Sequence, residues 1–151
     1  MNLVNSKHHF IEISYPFYVL VILDSLFLDK TRKPHDVLLR WQDEFLHLGI
    51  PIILLSNDPS YVVHTSFVQY IYCVDESAYR YYDRIVEKNV FGETKKVIVP
   101  GIFVIQGNRV VKSFNRVNDK SVCEVYLYVL KWWTKKQIKK VKKIIDKGFI
   151  L

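Results

Sequence analysis

Cysteine is scarce in these 151 residues: Cys73 and Cys123 are the two present, fifty positions apart. That spacing is neither a disulfide framework nor a zinc-ligand pattern. It fits a reducing compartment, so a cytoplasmic location is expected. Histidine supplies no metal site either, because His8-His9, His47 and His64 lack ligand spacing. No Ser-His-Asp arrangement can be argued, and the five glycines form no glycine-rich phosphate loop. No metal and no cofactor is expected. Long hydrophobic runs are also missing. The run Phe17–Leu28 follows Lys7, His8 and His9 as a signal peptide would, but Asp24 breaks it and no small-residue cleavage site follows. It is too short to span a bilayer as a helix, and Tyr-Val-Leu-Val-Ile favours a strand. No transmembrane segment is expected, and the run reads as the central strand of a soluble domain. Internal repeats are absent, and low complexity is confined to a lysine-rich segment near the C-terminus.

What is present is enough for a core. Half of the residues are apolar, and ten Tyr, nine Phe and three Trp exclude a disordered chain. The length suits one domain. The net charge of +7 is concentrated: Lys131–Lys147 carries eight lysines and one aspartate, while the remainder balances fourteen basic against fourteen acidic residues.

The pattern along the chain alternates strand and helix. A short strand is expected at Phe10–Ser14 and a buried parallel-type strand at Phe17–Leu23. Pro34 sits where helices begin, Val37, Leu38, Trp41, Phe45 and Leu48 share one helix face, and Gly49 ends the helix. Ile50–Leu55 is a second apolar strand. Asp58-Pro59 opens a second helix with Val62, Val63 and Val68 inward, Tyr70–Val74 is a third strand, and Asp75 caps a helix over Glu76–Glu87. Lys88–Lys96 reads as a connector turning at Gly92. Val97–Ile105, a strand interrupted by Pro100, and Arg109–Phe114 form a hairpin about Gln106-Gly107-Asn108. Asn118-Asp119 caps a long final helix from about Lys120 to Lys147, ended by Gly148. The alternation predicts parallel pairing with an antiparallel edge from the late hairpin.

Three pieces resemble the peroxiredoxins of the alkyl hydroperoxide reductase C/thiol-specific antioxidant type. Tyr18–Asp24 is similar to that family's first core strand, Ile50–Asp58 to the strand ending in a Ser-x-Asp loop, and Gly101–Ile105 with Val117-Asn118-Asp119 to its late strand and the Val-Asn-Asp before its last helix. The likeness covers roughly residues 17–133. It implies an α/β, thioredoxin-like three-layer sandwich with a mixed central sheet and helices on both faces. It also implies a domain over 1–133, with core 17–133, followed by a basic helical extension over 134–151.

The resemblance breaks at the active site. The family uses a Pro-x-x-x-Thr-x-x-Cys stretch and an arginine: the thiolate attacks peroxide and the arginine stabilises it. Aligned on Leu23-Asp24, the proline becomes Ile22, the threonine Leu26 and the cysteine Asp29; in a shifted register Thr31 replaces the threonine and Pro34 the cysteine. Neither register supplies a nucleophile, and the family arginine appears as Pro100. Thioredoxin-fold proteins often carry a cis proline at that place, so both isomers of Val99-Pro100 stand open.

The remaining candidates have plain alternatives. Cys73 reads as a buried strand cysteine, since nothing basic adjoins it. Cys123 lies on the final helix's first turn, where the helix dipole favours a thiolate and Glu124 opposes it. The two fall on different elements, which argues against a disulfide between them. The loop holding Arg32 and Lys33 lies where such folds place ligands, and could hold an anion with the helix amides; a plain polar loop is the bland reading. In the C-terminal helix Lys135, Lys136, Lys139, Lys140, Lys142 and Lys143 accompany Ile138, Val141, Ile144 and Ile145 at helical spacing. The bland reading packs this apolar stripe on the protein or on a second copy in a homodimer. The functional readings are an anionic partner: nucleic acid, an anionic membrane surface or an acidic protein. The expectation is a peroxiredoxin-like binding or structural protein, with a divergent thiol oxidoreductase or peroxidase using Cys123 or Cys73, and a nucleic-acid-binding protein, as the alternatives.

Overall fold

A strand apolar at every position must be covered on both faces. Phe17–Leu23 meets that description and forms β3, following two three-residue strands, β1 (Asn2–Val4) and β2 (Phe10–Glu12). All seven of its residues are buried. The computed structural model describes residues 2–4, 10–12, 15–23, 33–57, 68–73 and 75–147. After β3 come α1 (Lys33–Leu48), β4 (Ile52–Ser56), β5 (Val68–Tyr72), α2 (Glu76–Tyr81), β6 (Ile85–Val90), β7 (Glu93–Ile98), β8 (Gly101–Gln106), β9 (Arg109–Phe114) and α3 (Asp119–Asp146).

Five strands form the central sheet in the order β5-β4-β3-β8-β9. β3, β4 and β5 run parallel, with Val19 opposite Ile52 and Ile53 opposite Gln69. β8 runs antiparallel to β3 and β9 antiparallel to β8, so the sheet is mixed. Alternation along β3 builds two cores. Phe17, Val19, Val21 and Leu23 pack with Val37, Leu38 and Phe45 of α1 and Val122, Val125 and Val129 of α3. Tyr18, Leu20 and Ile22 face the other way, onto Ala78 and Tyr79 of α2, with Tyr82, Phe103 and the flanking Ile85 and Ile98. The result is a three-layer α/β sandwich with helices on both faces of a mixed sheet.

The expected helix signals hold locally. Pro34 is the second residue of α1. Gly49, at φ +66°, ends that helix: its N–H donates to Leu46 O and the Ile50 N–H donates to Phe45 O. Asp75 caps α2 by accepting from the Ser77 N–H at 2.9 Å. Asn118 and Ser121 form a reciprocal capping box at the start of α3.

Several expectations are corrected. The strand expected at Phe10–Ser14 is present over Phe10–Glu12, where it pairs with β1, and Ile13 and Ser14 lie outside the described residues. The expected helix with Val62 and Val63 lies outside the described residues, and Val68 opens β5 rather than closing a helix. The helix over Glu76–Glu87 ends at Tyr81, and Lys88–Lys96 is no connector: Ile85–Val90 and Glu93–Ile98 form a separate antiparallel hairpin. Phe91 and Gly92 both have positive φ, 51° and 80°, the backbone that a two-residue hairpin turn of right-handed strands needs. Val97–Ile105 is not one strand. Pro100 lacks an N–H and separates β7 from β8, which belong to different sheets. No cis peptide bond occurs among the described residues, so Val99-Pro100 is trans. No helix among the described residues is long and apolar enough to cross a membrane.

Candidate functional site

Strand directions decide which residues share an end of the sheet. Gly101 opens β8 opposite Ile22, so Pro100 lies beside the carboxyl end of β3. β4 ends there at Ser56, and β9 ends there at Phe114, opposite Ile102. The N-termini of α1 and α3 therefore lie at this same end, where open α/β sheets bind ligands.

Asp29, Thr31 and Arg32 lie outside the described residues. Lys33 and Pro34 form the start of α1, with their side chains likewise outside the description. Pro100 is half-buried, and its carbonyl accepts from Arg84 Nη1 at 3.4 Å. Arg84 is the residue that sequence reasoning missed. Its Nε donates to Tyr82 O at 3.1 Å, its Nη1 also donates to Asn115 Oδ1 at 3.2 Å, and its guanidinium lies 5.6 Å from the Phe103 ring centroid. The absence of a side chain at Gly101 makes room for it: a Cβ there would sit 3.1 Å from Arg84 Cδ. A helix continued to Glu87 hides this arginine. The available signal was the β-branched Ile85-Val86 directly after Asp83-Arg84, which favours a strand over a helix. Arg84 thus ties three segments together at the end of the sheet where the resemblance placed an arginine, and it reaches there from a different element.

At the same end Arg40 Nη2 donates to both carboxylate oxygens of Asp119, at 3.0 and 2.8 Å, and Trp41 Nε1 donates to Oδ1 at 3.4 Å. These bonds couple α1 to α3. The Arg40 guanidinium holds the Asp119 carboxyl below its usual range.

The cysteines are not brought together. Cys73 follows β5 and is completely buried in the core on the α2 side. Its N–H donates to Ser56 O, its carbonyl accepts from the Tyr79 hydroxyl, and its Sγ lies 3.9 Å from Asp75 O. Cys123 is half-buried on α3, across the sheet, and neither cysteine is in a disulfide. Among the described residues no three His, Cys, Asp or Glu side chains gather as a metal requires; His47 is exposed on α1, while His8, His9 and His64 lie outside the description. Tyr18 and Tyr82 form a buried phenol pair on the α2 side. Burial raises the pKa of both above the ordinary phenol value.

The other end of the sheet belongs to α3. Trp132 stacks on Phe17, the first residue of β3, with ring centroids 4.1 Å apart. This contact marks where the sheet stops and the helix continues. Lys135, Lys136, Lys139, Lys140, Lys142 and Lys143 are all exposed, and among the described residues none of them is in a salt bridge. Lys136 lies over the Trp132 ring at 5.0 Å. Ile138, Val141, Ile144 and Ile145 are 50%, 55%, 51% and 54% exposed. The stripe that the bland reading packs on the protein or on a second copy is uncovered by its own domain. A cleft of about 290 Å³ lies at the junction, with Phe17, Ile50, Trp132, Trp133, Lys136 and Lys140 in its lining.

This architecture is the thioredoxin-like fold of the peroxiredoxins. A peroxiredoxin Q of Xanthomonas campestris superposes with a TM-score of 0.68 at 19% identity, covering 88% of this chain and 92% of its own. The bacterioferritin comigratory protein of the same organism, solved in a study of its alkyl peroxide reduction, gives 0.66 at 18% identity over 88% and 90%. Thioredoxin peroxidase I of Plasmodium yoelii gives 0.58 at 17% identity over 90% and 87%. No family model and no curated protein sequence matches the chain.

Proposed function

We propose that this chain is a peroxiredoxin-fold protein that has given up peroxidase chemistry and serves as a binding or structural protein, with the lysine-rich half of α3 as its contact surface for an anionic partner. Residues 1–133 act as the domain and 134–151 as its basic extension, in a cytoplasmic setting. The observation that carries this reading is the bare apolar stripe of α3 beside exposed lysines without ion pairs among the described residues. A helix that only needed to cover its own sheet would end near Trp132. The loss of chemistry rests on sequence: no cysteine occurs between Met1 and Tyr72, whichever register is chosen for the residues after β3.

A thiol reading has one feature in its favour. Cys123 is half-buried on α3 near its N-terminus, at the end of the sheet where β3 and β4 have their carboxyl ends. Hydrogen peroxide consumption with excess dithiothreitol separates the two readings. The native protein and the Cys73→Ser/Cys123→Ser double variant are expected to show the same background rate. Turnover in the native protein that the double variant loses, and that Cys123→Ser alone also loses, would establish a relocated thiol site and overturn the non-catalytic reading.

A further inference from the structure

A helix turns 100° per residue, so each side of α3 can be followed past the end of the sheet. The side facing the sheet carries Val122, Val125 and Val129, all buried. Continued by whole turns, that side becomes Lys136, Lys140, Lys143 and Lys147, and Ile144 falls between it and the other isoleucines. Ile138, Val141 and Ile145 lie on roughly the opposite side of the helix, in line with Leu127, itself 55% exposed. The apolar residues Ile138, Val141 and Ile145 therefore face away from their own domain over about 10 Å at 1.5 Å per residue, and between Leu127 and Ile138 the same line carries Lys131 and Thr134. No extension of the domain's own sheet would cover them.

The charges narrow what can. Lys135 and Lys142 flank the stripe on one side and Lys140 on the other; Asp146 is the single acid of the segment. A second copy meeting α3 along this stripe would set lysines against lysines, with the repulsion that e and g positions of one sign produce. A coiled-coil seam of any kind needs apolar residues at successive a and d positions. The seam through 127, 131, 134, 138, 141 and 145 carries Lys131 and Thr134 in its middle. A nucleic-acid backbone would satisfy the lysines and leave four aliphatic side chains in water. The interface of an anionic bilayer satisfies both. It takes an apolar face a few ångströms into the acyl boundary, and long lysine stems reach back to the phosphates.

Building on the proposed role of α3 as a contact surface, we infer that its second half docks flat on an anionic lipid bilayer, with Ile138, Val141, Ile144 and Ile145 in the acyl boundary and the flanking lysines on the headgroup phosphates. The helix lies on such a surface and does not cross it.

The test is co-sedimentation of the full chain with vesicles of phosphatidylcholine alone or with about one third phosphatidylglycerol, run beside a short DNA duplex and polyglutamate as rival polyanions. Two variants report separately: Ile138→Ser/Ile145→Ser for the stripe and Lys135→Glu/Lys142→Glu for the charge. Both sites are exposed, and an unchanged urea midpoint verifies that each variant is folded. The expected result is binding to the anionic vesicles only, weakened about tenfold or more by each variant. Three outcomes overturn the inference: no vesicle binding, equal binding to neutral vesicles, or loss with the lysine variant but none with the stripe variant. Binding to the duplex or polyglutamate without vesicles removes the bilayer and leaves the anionic contact surface standing. Binding to none of them removes both.

Discussion

The two halves of α3 have the same backbone and both carry apolar residues at helical spacing, and only one of them is part of a core. From Asp119 to Trp132 the helix is capped, tied to α1 through Asp119 and Arg40, buried at Val122, Val125 and Val129, and closed by the Trp132–Phe17 stack. From Trp133 to Asp146 no residue is buried. Amphipathic spacing predicts a helix in both halves, but spacing does not say whether a surface waits opposite the apolar side. In the first half the sheet provides it. In the second half the apolar side has rotated away from a sheet that has already ended.

The largest expected effect sharpens this contrast with one substitution in each half. Val129→Asp places an unpaired charge in the core and is expected to cost about 3–5 kcal/mol in urea unfolding. Val141→Asp, on the bare stripe, should stay within about 0.5 kcal/mol. Equal losses would mean that the second half packs on the domain after all. A smaller effect concerns how each half holds its backbone. Asn118→Ala removes the cap that accepts from the Ser121 N–H at 2.8 Å and should cost about 1 kcal/mol. Thr134→Ala, which breaks only a hydroxyl bond back to Leu130 O at 2.8 Å, should be neutral or slightly stabilising.

The smallest effect is electrostatic. Arg40 lowers the Asp119 pKa, so the pair's contribution is present above the ordinary carboxylate range and is lost as pH falls through the lowered value. Because both side chains are more than half exposed, Asp119→Asn should only flatten the acid side of the stability profile slightly, and about 0.5 M salt should remove the difference. A large difference between the native protein and Asp119→Asn in how the urea midpoint changes from pH 7 to pH 3 would show that this junction is much drier than the geometry indicates.

Legibility in the sequence followed the range of the interaction. β3, β4 and β9 were readable from runs of β-branched residues, and the ends of α1 and α3 from Gly49 and Asn118, because those signals act within a few residues. The β6–β7 hairpin was not readable. Its strands carry mostly charged and polar residues, and its turn uses Phe91, a poor residue for positive φ, so nothing local announced it. Arg84 was lost with it. A residue that gathers Tyr82, Pro100 and Asn115 is defined by positions up to thirty-one apart in the chain. The stretch carrying Asp29, Thr31 and Arg32, where the resemblance placed the degenerate site, lies outside the described residues.

By itself the sequence determined the strands that must be buried, the helix caps, the concentration of positive charge near the C-terminus and the shortage of cysteine. Each depends on composition or on neighbours a few positions away. Only the tertiary structure decided that Arg84 would stand beside Pro100, that the two cysteines would lie on opposite sides of the sheet, and that the apolar stripe of α3 would be left uncovered. Those outcomes depend on strand order, on where the sheet stops and on how far a helix has rotated by then, and no short window of sequence contains that geometry.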